Sequence, residues 1–383
     1  MTSGGRLIIQ AEDMLVPGRP PGFLIIEGER IQRMEDGSHP HPDLEITEGW
    51  LAPGFIDLQI NGAAGCDFLS PTPDGLAAAH AYLLRTGTVA YLPTLISAPE
   101  ERTRAALAFF AEHARLPGAP RILGVHLEGP FLSPARAGAH NPRYLRTPSM
   151  EWIGRLLDDF PGLIRLVTLA PELDGALEVI DLLASRGVVA ALGHSDATYA
   201  QAMAAFDRGA RLATHLFNAM RPYHHREPGI VGAALVHSAA ACSLIADLVH
   251  VHPAVLHQVM TLKSPWGTVL ITDAIAAAGA RAAAVTLGDQ KVTVRDGAPR
   301  LPDGTLAGSV LAMDQAVRNA AAPDGINLRP AVEMATAAPA RVLGLDEGTI
   351  TLGGRADLVV LDRDMRVRET IVSGQIVYGR SQH

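Results

Sequence analysis

The chain has 383 residues, a formal net charge of −8 and 48% hydrophobic residues. That is enough chain for one large core plus a small accessory domain. Mild acidity argues against a nucleic-acid partner, which needs a basic face, and two cysteines, Cys66 and Cys242, exclude a disulfide framework or a cysteine-rich zinc site.

The first element group is β-rich. RLIIQAEDML, GFLIIEGERIQRM and LEITEGW are short runs separated by Gly and Pro turns. MTSGGRLIIQAEDML lacks the basic start and long apolar run of a secretion signal. The C-terminal GRADLVVLDRDMRVRETIVSGQIVYG returns to the same style, with turns at Asp364 and Gly374. A small β-sandwich built from residues 1–52 and 345–383 is expected around a different middle, residues 53–344.

In that middle, short apolar strands alternate with Ala- and Leu-rich helical stretches. The strands are expected at 51–60, 87–94, 121–128, 163–170, 187–194, 210–215, 242–247 and 267–273. Helix-like pieces lie between them, among them DGLAAAHAYLLR, PEERTRAALAFFAEHAR and DGALEVIDLLASR. About eight β-α units make an α/β chain with a (β/α)8 TIM-like barrel. An open doubly wound sheet is the other arrangement, weakened because no Gly-x-Gly-x-x-Gly follows the first strand. Residues 228–246 are uncharged but divide into a helix-like and a strand-like half, so no membrane span is expected. Residues 281–305 read as a β-hairpin inserted after the eighth strand. The reading is of a cytoplasmic protein with buried, reduced thiols.

Barrel active sites lie at the C-terminal ends of the strands. Metal-dependent hydrolases often end the first strand in His-x-His; here the two positions are Gln59 and Asn61. Elsewhere the ends carry Glu128, His194, His215, Asp247 and Asp273. Glu128, His194 and His215 make a set of two histidines and a carboxylate, which suits one divalent ion with an open position for water, Zn2+ or Fe2+. Asp273 reads either as an N-cap of a following helix or as a general base, then acid, facing that water. A basic group, His140, His224, His225, Arg226 and His250, suits an anion such as a phosphate, with a solvated loop as the plainer account of His224. No GxxxxGK[ST] is present, so a nucleoside triphosphate is not expected.

HLEGPFLSPARAGAHNP, LGHSDATYAQAMAAFDRGARLATHLFNAM and HHREPGIVGAAL, with PGFIDLQING and GSVLAMDQAVRN, resemble the N-acetylglucosamine-6-phosphate deacetylases of the amidohydrolase superfamily over nearly the whole chain. The resemblance implies hydrolysis of N-acetyl-D-glucosamine 6-phosphate to D-glucosamine 6-phosphate and acetate, in amino-sugar catabolism and cell-wall recycling, by a homodimer. It implies Glu128, His194 and His215 as ligands of one metal ion per subunit, and Asp273 as the catalytic acid/base. It implies His140 as a catalytic and substrate contact, with Ala139, Asn218, Ala219, His250, Leu306, Ala307 and Gly308 lining the sugar site. Arg226 would bind phosphate, often across the dimer interface.

Two departures stand out. Gln-x-Asn in place of His-x-His implies one metal ion, not two. Leu248 follows Asp247 where the family usually has Gly, and a larger side chain there is expected to reshape the sugar pocket. The rivals are an N-acetylgalactosamine-6-phosphate deacetylase, a cyclic-amide hydrolase such as a dihydroorotase, and a sugar-phosphate-binding barrel without catalysis.

Overall fold

The computed structural model describes residues 5–16, 18–114, 116–281, 284–321 and 328–379. Residues 1–4, 17 and 380–383 of the expected sandwich, 115 and 322–327 of the expected barrel, and 282–283 of the expected insert, lie outside them.

Eight parallel strands form the barrel, labelled β1 to β8 in chain order. They are β1 (Phe55–Ile60), β2 (Thr88–Ile96), β3 (Val125–Glu128), β4 (Ile164–Leu169), β5 (Val189–Leu192), β6 (Leu212–Ala213), β7 (Ala241–Ile245) and β8 (Thr268–Ile271). Each pairs with the next. Closure comes just past β8, where the Asp273 N–H donates to the Gln59 carbonyl at 2.8 Å and the Asn61 N–H to the Ala274 carbonyl at 2.7 Å. The connecting helices are α1 (Pro73–Arg85), α2 (Glu100–His113), α3 (Met150–Asp159), α4 (Ala176–Ser185), α5 (Tyr199–Asp207), α6 (Gly229–Val236) and α7 (Pro253–Lys263). Helix α1 shows why they form. Thr72 caps it by accepting from the Gly75 N–H, Pro73 opens the first turn, and Leu76, Ala79 and Leu83 recur on its buried face. Residues 228–246 do divide, into α6 and β7. Among the described residues, no helix is long and apolar enough to cross a membrane.

The expected strand over 51–60 is two strands. Trp50–Pro53 pairs antiparallel with Leu358–Leu361, outside the barrel, whereas Phe55–Ile60 is β1. Gly54 is the joint: a Cβ there would collide with the Val89 side chain, so only glycine lets the chain turn against β2. Leu358–Leu361 continues a sheet with Val367–Val372 and Gln375–Gly379. A second sheet holds Arg6–Ala11, Gly22–Glu27, Arg30–Asp36 and Leu44–Ile46. The two sheets share one apolar core, with Ile9, Leu24, Ile26 and Ile46 from one and Leu51, Leu358, Val360 and Ile371 from the other. Arg121, beside the barrel, is tied to this sandwich through Asp357 at 2.9 Å.

The expected hairpin after β8 has three strands: Ala284–Leu287, Gln290–Arg295 and Ala298–Arg300. Asp296 and Gly297 both have positive φ, 51° and 74°, and make the second tight turn that adds the third strand. This small sheet roofs the barrel mouth. Its first turn is held by the Gly288 N–H donating to Asp67 at 3.0 Å. Asn141 and Tyr144 donate to Asp289 at 2.9 and 3.0 Å.

Candidate active site

Side chains alternate along a strand, so β1 sends Asp57, Gln59 and then Asn61 inward while Ile56, Leu58 and Ile60 face the helices. All three polar side chains are buried. On β3 the same period places His126 one layer beneath Glu128. His126 is held by Thr168 Oγ1 at 2.8 Å, and Thr168 by Thr214 at 2.8 Å. Burial lowers the His126 imidazole to about 4, so this layer is a neutral polar floor beneath the site.

Above it, Glu128, His194 and His215 converge. Glu128 Oε1 lies 3.0 Å from His215 Nε2 and 3.3 Å from His194 Nε2, and the two Nε2 atoms are 3.1 Å apart. His194 Nδ1 is 3.0 Å from the Arg136 carbonyl, which only accepts, so Nδ1 carries the proton and the Nε2 lone pair faces the cluster. Electron pairs from two imidazoles and a carboxylate aimed at one another are what a divalent cation satisfies, so the residues present fit a metal ion. Among the described residues this is the one such group of three or more metal-ligating side chains. Burial works to raise the Glu128 carboxyl, but its close contacts with His140, His194 and His215 outweigh it and hold it well below the usual range.

Three of these residues have left-handed backbone: His194 with φ 48°, His215 with φ 32° and Asp273 with φ 48°. Such conformations cost roughly 1–3 kcal/mol each and persist only where the surroundings over-determine them. Here the Ser133 N–H binds the His194 carbonyl at 2.9 Å, Ser243 Oγ accepts from the His215 N–H at 2.7 Å, and the Ser309 N–H binds the Asp273 carbonyl at 2.8 Å.

Asp273 is not a helix cap. Its Oδ1 accepts from Asn61 Nδ2 at 2.7 Å and from Gln59 Nε2 at 3.3 Å; Gln59 Nε2 also donates to Glu128 at 2.8 Å. Among the described residues nothing donates to Oδ2. Burial, reinforced by the Glu128 charge, pushes the Asp273 carboxyl up to about 8. His140 Nδ1 accepts from the Ser97 N–H at 3.2 Å, which puts its proton on Nε2, 3.5 Å from Glu128 Oε2. Burial, then the neighbouring His194, lowers its imidazole, so a neutral N–H donor faces the site.

One cavity of about 430 Å³ takes in Glu128, Ala139, His140, His194, His215, Asn218, Ala219, His250, Asp273, Leu306 and Gly308 from the sequence-derived set. Ala307 is fully buried between its two lining neighbours. His250 is held by Asp247, Nδ1 to Oδ2 at 2.7 Å. Arg226 is exposed and off this lining, its Nη1 2.9 Å from His225 Nε2. Leu248 is 43% exposed and likewise off the lining. Sequence reasoning did not single out Leu287, Arg300 or Thr305, which line the cavity from the roof and the loop after it. The signal was available: an insert after the last barrel strand sits at the mouth where the site is.

The amidohydrolase family profile matches residues 50–377. The N-acetylglucosamine-6-phosphate deacetylase of Homo sapiens is 41% identical over 98% of this chain and 93% of its own length. The N-acetylgalactosamine-6-phosphate deacetylase of Escherichia coli O157:H7 is 40% identical over 85% of this chain and 87% of its own. Among solved structures, a mutant of N-acetyl-D-glucosamine-6-phosphate deacetylase from Mycobacterium smegmatis, in complex with N-acetyl-D-glucosamine-6-phosphate, superimposes with a TM-score of 0.93. It is 38% identical, over 98% of this chain and 100% of that one.

Proposed function

Because this chain belongs to the amidohydrolase family, we propose that it deacetylates N-acetyl-D-glucosamine 6-phosphate to D-glucosamine 6-phosphate and acetate. It is a hydrolase of an amide C–N bond. The observation that carries the reading is the buried Glu128–His194–His215 group in one cavity with Asp273, a carboxylate held by one oxygen and open at the other.

Glu128, His194 and His215 would hold one divalent ion, zinc or Fe(II). When bound, such an ion lowers the pKa of water and polarises a carbonyl. The protein's own groups then do the rest. Asp273 Oδ2 takes the proton of the attacking water and later returns it to the amide nitrogen, so that the amine leaves neutral. A raised carboxyl suits both halves of that task. His140 donates its Nε2–H to the acetyl oxygen as negative charge develops there. Gln59 and Asn61 keep Asp273 aimed. Ala139, Asn218, Ala219, His250, Leu306, Ala307 and Gly308 form the sugar site. We assign Arg226 to phosphate binding in the neighbouring subunit of a homodimer; its exposure outside its own chain's cavity supports that reading. A cytoplasmic location fits the two unpaired, buried cysteines.

The test is acetate release from a panel of N-acetylhexosamine 6-phosphates, with metal measured on the same sample. Release from the gluco sugar with about one metal ion per chain is expected. The Escherichia coli relative favours including the galacto epimer, and the two kcat/KM values decide between them. Metal-loaded protein that releases acetate from neither would overturn the reading and leave a non-catalytic binding barrel.

A further inference from the structure

The cavity floor holds the Glu128 and Asp273 carboxylates with the imidazoles around them; its rim carries Arg300, the one guanidinium among the described lining residues. Arg300 ends the last strand of the roof, Ala298–Arg300, and its backbone pairs antiparallel with Leu306. Residues opposite each other in such a pair present their side chains on one face, and both line the cavity. Arg300 Nη1 donates to the Gly304 carbonyl at 2.9 Å. That carbonyl belongs to a turn closed by the Leu301 N–H on Thr305 and the Gly304 N–H on Leu301, each at 2.9 Å. One arm of the fork is therefore held by this turn, and the guanidinium forms no ion pair among the described residues. By contrast the nearby His250 is already committed to Asp247.

We infer that Arg300 binds the anionic end of the substrate within its own subunit, its remaining N–H donors taking non-bridging oxygens of a phosphate monoester. This rests on the sugar-phosphate reading of the cavity given above. A planar fork on a half-buried, pre-positioned side chain matches a phosphate better than a mobile lysine does. The reacting amide then lies at the metal-binding floor and the phosphate at the rim, beside Arg300. Arg300 is thereby a specificity residue for phosphorylated over free amino sugar, separate from Arg226.

The experiment compares wild type, Arg300→Gln and Arg300→Lys, each metal-loaded and checked for unchanged melting temperature. Arg300→Gln is expected to raise KM for N-acetylglucosamine 6-phosphate roughly tenfold to a hundredfold. It should leave kcat within about twofold, the signature of lost uniform binding, and leave turnover of unphosphorylated N-acetylglucosamine unchanged. Arg300→Lys should lose less, with the same selectivity, and it carries the test if the glutamine variant fails to fold. Titration with D-glucosamine 6-phosphate, which needs no turnover, should weaken by the same factor as KM. Equal losses on both sugars, or unchanged affinity for the phosphorylated product, would overturn the role of Arg300. Absence of acetate release by wild type would instead overturn the function proposed above, while the product titration still decides Arg300.

Discussion

Asn61 Nδ2 donates to Asp273 Oδ1 at 2.7 Å, so the amide at a position where related barrels can carry a metal-binding histidine instead holds the candidate general base. Gln59 does the same for two carboxylates at once, at 2.8 Å to Glu128 and 3.3 Å to Asp273. The end of the first strand thus gives the site two positioning amides in exchange for a ligand pair.

That exchange is open to mutation. Asp273→Asn should lower kcat by about 10²–10⁴ with metal content unchanged. Asn61→Ala should lower kcat/KM roughly tenfold, the worth of one hydrogen bond to a charged group, again with one metal ion per chain. Normal turnover in metal-loaded Asp273→Asn would remove Asp273 from the chemistry.

The ligand set makes a separate prediction. Treatment with a chelator should abolish acetate release and lower the melting temperature, because an ion bound only by the folded state stabilises it by mass action. Adding zinc or Fe(II) should restore both. Glu128→Gln and His215→Ala should bind less than one equivalent and resist restoration. A variant of Glu128 that retained full metal occupancy would exclude that carboxylate as a ligand.

Beneath the site, burial pushes the Asp57 carboxyl from 3.8 to about 7, against hydrogen bonds from Thr272 and the Gln59 N–H. The sign follows from proton binding. Between about pH 4 and about pH 7 the folded state holds a proton that the unfolded state has released, so this residue's contribution to stability falls as pH rises through that window. Asp57→Asn cannot titrate. Its melting temperature should gain on that of wild type as pH rises from about 4 to 7 and run parallel outside that range. Parallel curves throughout would show that Asp57 does not carry the shift.

Leu248 has φ 65°, a left-handed conformation set by the Val249 and His250 N–H groups both donating to Asp247 Oδ1, at 2.9 and 2.8 Å. A side chain in that region costs about 1–2 kcal/mol, and glycine there loses about 0.5–1 kcal/mol of chain entropy. Leu248→Gly should therefore match wild type or melt about 2 °C higher. The ratio of kcat/KM on gluco and galacto substrates should stay the same. A changed ratio would bring Leu248 back into the sugar site.

Much of this was legible in the sequence because the barrel writes its active site at the ends of apolar runs. Glu128, His194, His215 and Asp273 each follow one, and a polar residue there has little to do but face the mouth. The alternation of Asp57, Gln59 and Asn61 was equally visible. What stayed hidden depends on contacts between distant segments. LAPGFIDLQI carries a local break at Pro53-Gly54, but that its two halves join different sheets follows from pairing with Leu358–Leu361 and from the packing of Gly54 against Val89. The turn at Asp296 and Gly297 was readable as a local signal. That the insert lies at the mouth was readable too; which of its residues line the cavity was not, since the place of Arg300 follows from its pairing with Leu306.

The sandwich has a consequence for how the molecule is made. Arg30 donates to the Gly353 carbonyl at 2.7 Å across 323 residues, and the sheet bearing Leu24 and Ile26 finds most of its apolar partners, Leu358, Val360 and Ile371, at a similar separation. At about 5–20 residues per second on the ribosome, that separation is roughly 15–65 s of synthesis. Throughout that interval the segments that cover the first sheet have not been made, and Trp50–Pro53, which leads directly into β1, lacks its neighbour Leu358–Leu361. Covering the apolar face of the N-terminal sheet is therefore tied to segments made about 300 residues later.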